Sequence, residues 1–358
     1  MSQLIKGLLT IGIPTYNGGF NFPELLLSIK KLGLDETEFE VLVVNNGSTD
    51  DTDKIMEQYK VTVPNLRYYK NNKNIGRIEN WNKVIELAQG DYLIIMNVND
   101  RFVDFEARKV LEYLNHHPEV PMILSDIQFE DHIYPNWIEC GLLNLETYLK
   151  KTFLDTEYLE FHSVGILQQH IFRTKVIVDN CIQFNPRIPR TTDRVFVGQV
   201  VAAGGRNFYY INKTMVTWHL SPNRYHYQIH NNKNHFNFEE LWVNEYEANI
   251  QLADLGKISY KAYLKSQLIS AKFYMHVKHL RYLKDKILRT NTPTNGMEIP
   301  TAAIFYSYLK TMAELNHVSI NYVVLNVTAL KRAITWYLRS INLYKKNRRS
   351  LKGLIIQV

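Results

Sequence analysis

The sequence predicts an α/β fold: a central mixed, mostly parallel sheet flanked by helices, followed by an all-helical C-terminal region. Three observations predict it. Short apolar runs rich in β-branched residues alternate with segments of helical periodicity, polar residues gather just after those runs, and the texture changes near residue 233 to long helical stretches. Parallel strands joined by helices need right-handed crossovers, so their carboxyl ends share one edge. Polar residues placed there converge on one crevice although they are far apart in sequence.

Leu8–Ile13 and Phe39–Asn45 read as strands buried on both faces. Between them, Leu25, Leu26, Ile29 and Leu32 recur at helical spacing over 23–32, and Gly33 stops the helix. Asp50 and Asp51 open a second helix through Tyr59, where their carboxylates suit the N-terminal dipole. Leu66–Tyr69 is a third strand. Ile78, Trp81, Val84, Ile85 and Ala88 make 77–88 amphipathic, with Gly90 as the expected C-terminal cap. A fourth buried strand covers 91–96 and a further one 120–127. An irregular, aromatic-rich middle runs to about residue 185. Arg194–Ala203 reads as a helix ended by Gly204-Gly205, and helical candidates follow at 237–254, 258–289, 302–315 and 322–343. The expected domains are therefore 1–233 and 234–358.

With 358 residues, 46% hydrophobic and 22% charged, the chain can bury a core without staples. Cys140 and Cys181 are its only cysteines, read as buried thiols, and neither C-x-x-C nor a Cys/His cluster occurs, which argues against structural zinc. Met1–Lys6 lacks the basic then apolar pattern of a secretory signal. No apolar run approaches the roughly 20 residues needed to span a bilayer. The expected location is cytoplasmic, peripheral on the inner face of the cell membrane if the C-terminal region binds it. Residues 1–235 hold 24 Lys+Arg against 27 Asp+Glu, whereas 236–358 hold 18 against 8. Nucleic acid is not the expected partner, since the larger part is slightly acidic and no reader motif is present.

Four segments end a strand or open a helix: Pro14-Thr15-Tyr16-Asn17, Val43-Val44-Asn45-Asn46-Gly47-Ser48, Asn74-Ile75-Gly76-Arg77 with Asn80 and Asn82, and Asn97-Val98-Asn99-Asp100. Thr192-Asp193 before a helix ending in Gly204-Gly205, then Trp218-His219-Leu220-Ser221, complete a series in fixed order. On these six pieces, over some 60% of the chain, the sequence resembles the family 2 glycosyltransferases of the GT-A (Rossmann-like) fold, which use nucleotide-sugar donors. The C-terminal 120 residues lie outside the resemblance.

The resemblance implies an inverting transferase moving a sugar from a nucleotide diphosphate-sugar to a saccharide or lipid-linked acceptor, in bacterial cell-surface polysaccharide synthesis. Asp193 matches the family's base. Nucleotide-sugar contacts fall on Pro14, Thr15, Tyr16, Asn17, Asn45, Asn46, Asn74, Gly76, Arg77, Asn80, Asn97, Val98 and Asn99. Residue types agree: an Asn oxygen can accept a base N–H, an aromatic face can approach the base, and Arg77 at a helix start can neutralise a phosphate. The family's Asp-Asp after strand two is Asn45-Asn46 here. Its Asp-x-Asp metal motif reads Asn97-Val98-Asn99-Asp100, leaving Asp100 the sole carboxylate, with Asn99 and His219 beside it for Mn²⁺ or Mg²⁺. Plain structural readings stand beside these: an Asn-Gly turn, a solvated Arg77, a strand-end turn without metal, and Thr191–Asp193 as a helix cap. Two other functions fit less of the pattern. A catalytically impaired nucleotide-sugar-binding scaffold is motivated by the Asn substitutions. A sugar-phosphate nucleotidyltransferase needs a basic Gly-rich loop that Gly18-Gly19-Phe20 does not supply.

From Leu315 to Val358 there is no acidic residue, while Lys331, Arg332, Arg339, Lys345, Lys346, Arg348, Arg349 and Lys352 interleave with aromatic and aliphatic residues. Residues 331–358 are thus expected to meet an anionic membrane surface, or to form a homo-oligomer with the charges facing water.

Overall fold

The computed structural model describes residues 3–63, 65–129, 132–134, 141–154, 167–189, 191–218, 238–257, isolated positions between 264 and 314, and 317–331. The chain divides into two compact units: Met1–Leu149 with His162–Gly256, and Lys150–Phe161 with Lys257–Val358.

The first unit is built on one sheet. Its elements in order are β1 (Ile5–Thr15), α1 (Phe22–Ile29), β2 (Phe39–Asn45), α2 (Thr52–Thr62), β3 (Leu66–Lys70), α3 (Arg77–Leu87), β4 (Gly90–Ile95), β5 (Arg101–Phe102) and α4 (Ala107–His116). Then come β6 (Met122–Phe129), β7 (His132–Tyr134), β8 (Gly141–Asn144), α5 (Leu145–Leu154), β9 (His170–Arg173), α6 (Thr174–Asp179), α7 (Thr192–Ala203), β10 (Asn207–Trp218) and α8 (Phe238–Gly256). Strand order is β3-β2-β1-β4-β9-β6-β10-β5, with β7 on β6 and β8 on β10. The β3-β2-β1-β4 half is parallel, as the alternating pattern requires. Beyond it, β9 is antiparallel to both β4 and β6, which turns β6, and with it its parallel partner β10, into the direction of β1.

Leu9, Ile11 and Ile13 of β1 alternate onto one face, where Phe22, Leu25 and Ile29 of α1, Met56 of α2 and Leu111 and Leu114 of α4 cover them. Gly33 ends the 3-10 turn Lys30–Leu32 after α1 at φ 65°, the stop the sequence predicts. Glu40, buried on β2, accepts from Thr10 Oγ1 at 2.6 Å and the Gln89 amide at 2.8 Å, and pairs with Arg67 at 2.6 Å. This fastens the non-crevice ends of β1, β2 and β4 together.

Three expectations are corrected. Gly90 is not a helix cap: Ala88 closes α3 and Gly90 is the first residue of β4. A Cβ there would lie 2.6 Å from the Leu8 carbonyl oxygen and the Thr10 nitrogen, so the residue is small because two strands meet on it. Gly90→Ala is expected to lower stability by about 2 kcal/mol in urea unfolding, since backbone atoms cannot yield. Cys181 is exposed rather than buried, because it follows α6 in a left-handed conformation (φ 51°) that turns its thiol outward; Cys140 lies outside the described residues. Last, α8, which the sequence places beyond a boundary near 233, belongs to the first unit. It packs on α7, where Gly198 lets Leu252 approach.

In the second unit, described positions at 264–276, 306–314 and 322–331 are helical. No helix among the described residues is long and apolar enough to cross a membrane.

Candidate active site

Four loops leave the carboxyl edge of β1–β4; the β1 loop is joined to those of β2 and β4, and the β2 loop to that of β3. Asn17 (φ 52°) donates its amide to Ser48 Oγ at 2.8 Å, and its side-chain oxygen accepts from the Thr49 amide at 2.8 Å, joining the loops after β1 and β2. Asp50 reinforces that link by accepting from the Gly19 amide at 3.2 Å. A Cβ on Gly47 (φ 70°) would lie 2.8 Å from the Lys73 carbonyl carbon, so the loops after β2 and β3 pack backbone to backbone. A Cβ on Gly18 would meet Val98 at 2.9 Å, so the β4 loop sits on the β1 loop. Finally Arg77, first residue of α3 and stacked 5.0 Å over Trp81, donates to the Pro189 carbonyl, four residues before Asp193.

Asp193 shares this edge for a topological reason. Helix α7 feeds β10 at Asn207, the amino end of a strand parallel to β6, and so must begin at the opposite, carboxyl edge. Its 12 residues cover about 18 Å, the height of the sheet. Neither Thr191 nor Thr192 caps the helix: Thr191 Oγ1 donates to the Asn244 carbonyl of α8 at 3.1 Å, and Thr192 Oγ1 accepts from the Asn185 amide at 2.6 Å. Both threonines anchor the start of α7, which fixes half-buried Asp193 in its first turn.

The asparagines are hydrogen-bonded within the protein. Asn45 is fully buried; its amide donates to Asp53 Oδ1 at 3.0 Å and Tyr68 Oη at 2.6 Å, and its oxygen accepts from the Ser48 amide at 2.9 Å. Asn46 donates to Asn74 Oδ1 at 2.8 Å and the Gly76 carbonyl at 3.2 Å, and accepts from Asn71 Nδ2 and the Ile75 amide. Asn80 links Asn71 to the Val44 carbonyl. Asn45, Asn46 and Asn80 therefore build the loops with their amides engaged inside the protein, while exposed Asn74 accepts from Asn46 Nδ2 and the Gly76 amide through its side-chain oxygen. Beneath them Lys70, and next the Tyr68 hydroxyl, hold the Asp53 carboxyl below its ordinary 3.8, and burial pushes the Tyr68 phenol up. Asp53 thus contributes stability that is present above the unfolded value and lost as pH falls through the depressed folded value. A Lys70→Met variant is expected to flatten the acid limb of a thermal stability profile.

What faces outward is a smaller set. Tyr16 is about half exposed, Asn17, Asn74, Gly76 and Arg77 are exposed, and Pro14, Asn97, Val98 and Asn99 are partly so. Thr15 Oγ1, at the end of β1, is buried and has no partner among the described residues. Asp100 is fully buried, accepts from Asn97 Nδ2 at 3.2 Å, and precedes β5, which pairs with β10 through Arg101 and Thr217. His219 lies outside the described residues. Among the described residues no group of three His, Cys, Asp or Glu is placed to hold a metal.

Sequence reasoning missed Gln168 and Gln169. Strand β9 brings them to the carboxyl edge between β4 and β6, where both are buried and Gln169 Oε1 has no partner among the described residues. The signal was a Gln-Gln-His break before an apolar Ile-Phe pair. Nearby Asp126 accepts from Tyr210 Oη at 2.8 Å.

Residues 10–172 match the glycosyl transferase family 2 profile. Over that segment, a little under half of the chain, the protein is similar to that family. An uncharacterized glycosyltransferase of Mycoplasma pneumoniae is 38% identical over 31% of this chain and 38% of its own. A second, from Mycoplasma genitalium, is 25% identical over 55% of this chain and 67% of its own. Poly(ribitol-phosphate) beta-N-acetylglucosaminyltransferase TarS of Staphylococcus aureus is 23% identical over 56% of this chain and 35% of its own. The crystal structure of TarS 1–349 in complex with UDP-GlcNAc superposes with a TM-score of 0.55, 16% identity, and coverage of 85% of this chain and 92% of that one. The shared fold is GT-A, a mixed sheet with flanking helices.

Proposed function

We propose that this protein transfers a sugar from a nucleotide diphosphate-sugar to an acceptor hydroxyl with inversion. The observation that carries the reading is the linked edge: the loops after β1, β2, β3 and β4 and the start of α7 meet there, with Asp193 the carboxylate in the first turn of α7. Asp193 takes the proton of the acceptor hydroxyl as its oxygen attacks the anomeric carbon, and the sugar–phosphate bond breaks on the opposite face. Tyr16 offers its ring to the base and Thr15 Oγ1 a hydroxyl to the nucleoside. Arg77 and the uncapped N-terminus of α3 behind Gly76 meet the charge that accumulates on the diphosphate. The acceptor is a saccharide or a lipid-linked sugar of bacterial surface polysaccharide synthesis; a neighbour that binds UDP-GlcNAc makes uridine donors the first to test.

Asn99 and Asp100, with His219, are the residues that would hold Mn²⁺ or Mg²⁺, whose role would be to add positive charge beside the leaving diphosphate. One buried carboxylate and an amide oxygen form a weak site by themselves, because such ions favour anionic oxygen and share phosphate ligands. Calorimetry is expected to show Mn²⁺ binding only when a nucleoside diphosphate is present. Saturable binding to the protein alone would contradict this.

A donor-panel thermal shift tests the function itself. One nucleotide diphosphate-sugar should raise the unfolding temperature and be consumed when acceptor is added. Binding without turnover across acceptors would favour the scaffold reading.

A further inference from the structure

Helix 322–331 presents an inverted pattern. Leu325 and Ala329 are buried within the second unit, while Val323, Val324, Val327 and Leu330 are 74%, 51%, 48% and 41% exposed. At 100° per residue these four span an arc of about 120°, with Leu325 and Ala329 opposite. Asn321 caps the helix, accepting from the Val324 amide at 3.1 Å, so the helix is well started and its outward face is a fixed feature. An apolar stripe on the solvent side of a capped helix marks a surface that meets something other than water.

We propose that this face lies on an anionic lipid surface. The argument is charge complementarity. No acidic residue occurs after Glu314, and Lys331 with the following 27 residues carries eight cations together with Trp336, Tyr337 and Tyr344. Aliphatic residues that enter the acyl boundary, cations that meet lipid phosphates and aromatic residues suited to the headgroup level are the three ingredients of interfacial binding. A second copy of the same helix is the poorer occupant, because it would bring two sets of eight cations together with no acidic partner. The inference extends the proposed function, since an acceptor carried on lipid would be presented at that surface, but it does not depend on catalysis.

The full chain is sedimented with vesicles of phosphatidylcholine alone or of equal parts phosphatidylcholine and phosphatidylglycerol. Binding is expected to the anionic vesicles only. Val323→Asp combined with Val327→Asp should reduce partitioning more than about tenfold while circular dichroism and unfolding temperature stay as in the parent, because both side chains are exposed. A second variant with Lys345, Lys346, Arg348 and Arg349 changed to Gln should lose the preference for anionic lipid, which separates the apolar from the electrostatic part. Equal binding to neutral vesicles, binding unchanged by the valine substitutions, or a parent dimer that they dissociate would each overturn the proposal. Sugar transfer to a soluble acceptor is read in parallel. Its loss in every preparation would count against the glycosyltransferase reading and leave the membrane result standing.

Discussion

Asp193→Asn is expected to lower sugar transfer at saturating donor by about three orders of magnitude while leaving donor affinity within about twofold. The substitution is close to isosteric. Asn keeps an oxygen for the Arg194 amide, which donates to Asp193 Oδ1 at 2.9 Å, and the threonines that anchor the start of α7 are untouched. What it removes is the basic oxygen. A neutral amide cannot take the proton of the acceptor hydroxyl, so the loss falls on kcat. The helix also loses one favourable charge in its first turn, worth about 0.5 kcal/mol, too little to unfold the protein. A purely capping role predicts that small stability change and full transfer. Initial rates and donor titrations on one preparation separate the two.

Asn45→Asp should destabilise the protein by about 3 kcal/mol at neutral pH, although it installs the residue the family usually carries there. The Asn45 amide donates to Asp53 Oδ1 at 3.0 Å inside a fully buried position. A carboxylate in its place would face the Asp53 carboxylate across that distance and leave Tyr68 to serve both. Two carboxylates so close cannot both ionise freely, so the folded pair would take up a proton at raised pH. A group whose folded pKa is raised costs stability as pH rises through that value, so the penalty should shrink on acidification towards about pH 5. Urea unfolding at several pH values checks this. A uniform loss, or none, would show that Asp53 does not decide the identity of residue 45.

The parallel half of the fold was legible because its signals are local. Val41, Leu42, Val43 and Val44 form an unbroken apolar run in β2, as a strand covered on both faces requires, and Gly33 and the 3.6 period delimit α1. The antiparallel insertion was not legible. Strand β9 has four residues, reverses direction between β4 and β6, and is held by partners far away in sequence, so nothing in its own pattern announces it. The candidate site divides in the same way. Strand ends and a helix start pointed to Thr15, Tyr16, Asn17, Asp100 and Arg77 along one edge of the sheet, whereas Asp193 came from the family resemblance alone. Whether an amide there faces a ligand or the protein depends on second partners such as Asp53, Tyr68 and Asn71, which the spacing of a motif does not encode. Gly90 shows the same limit: its position suggested a cap, and its real constraint is a strand-to-strand approach.

Calorimetric titration with a panel of nucleoside diphosphates, on the parent, Arg77→Ala and Asp193→Asn proteins, tests the shared crevice most directly. The parent should bind one of them at a single site, Asp193→Asn should bind it equally, and Arg77→Ala should weaken it by roughly tenfold or more, as expected for loss of a charged hydrogen bond. Failure of every diphosphate to bind, or binding that ignores Arg77, would contradict the account.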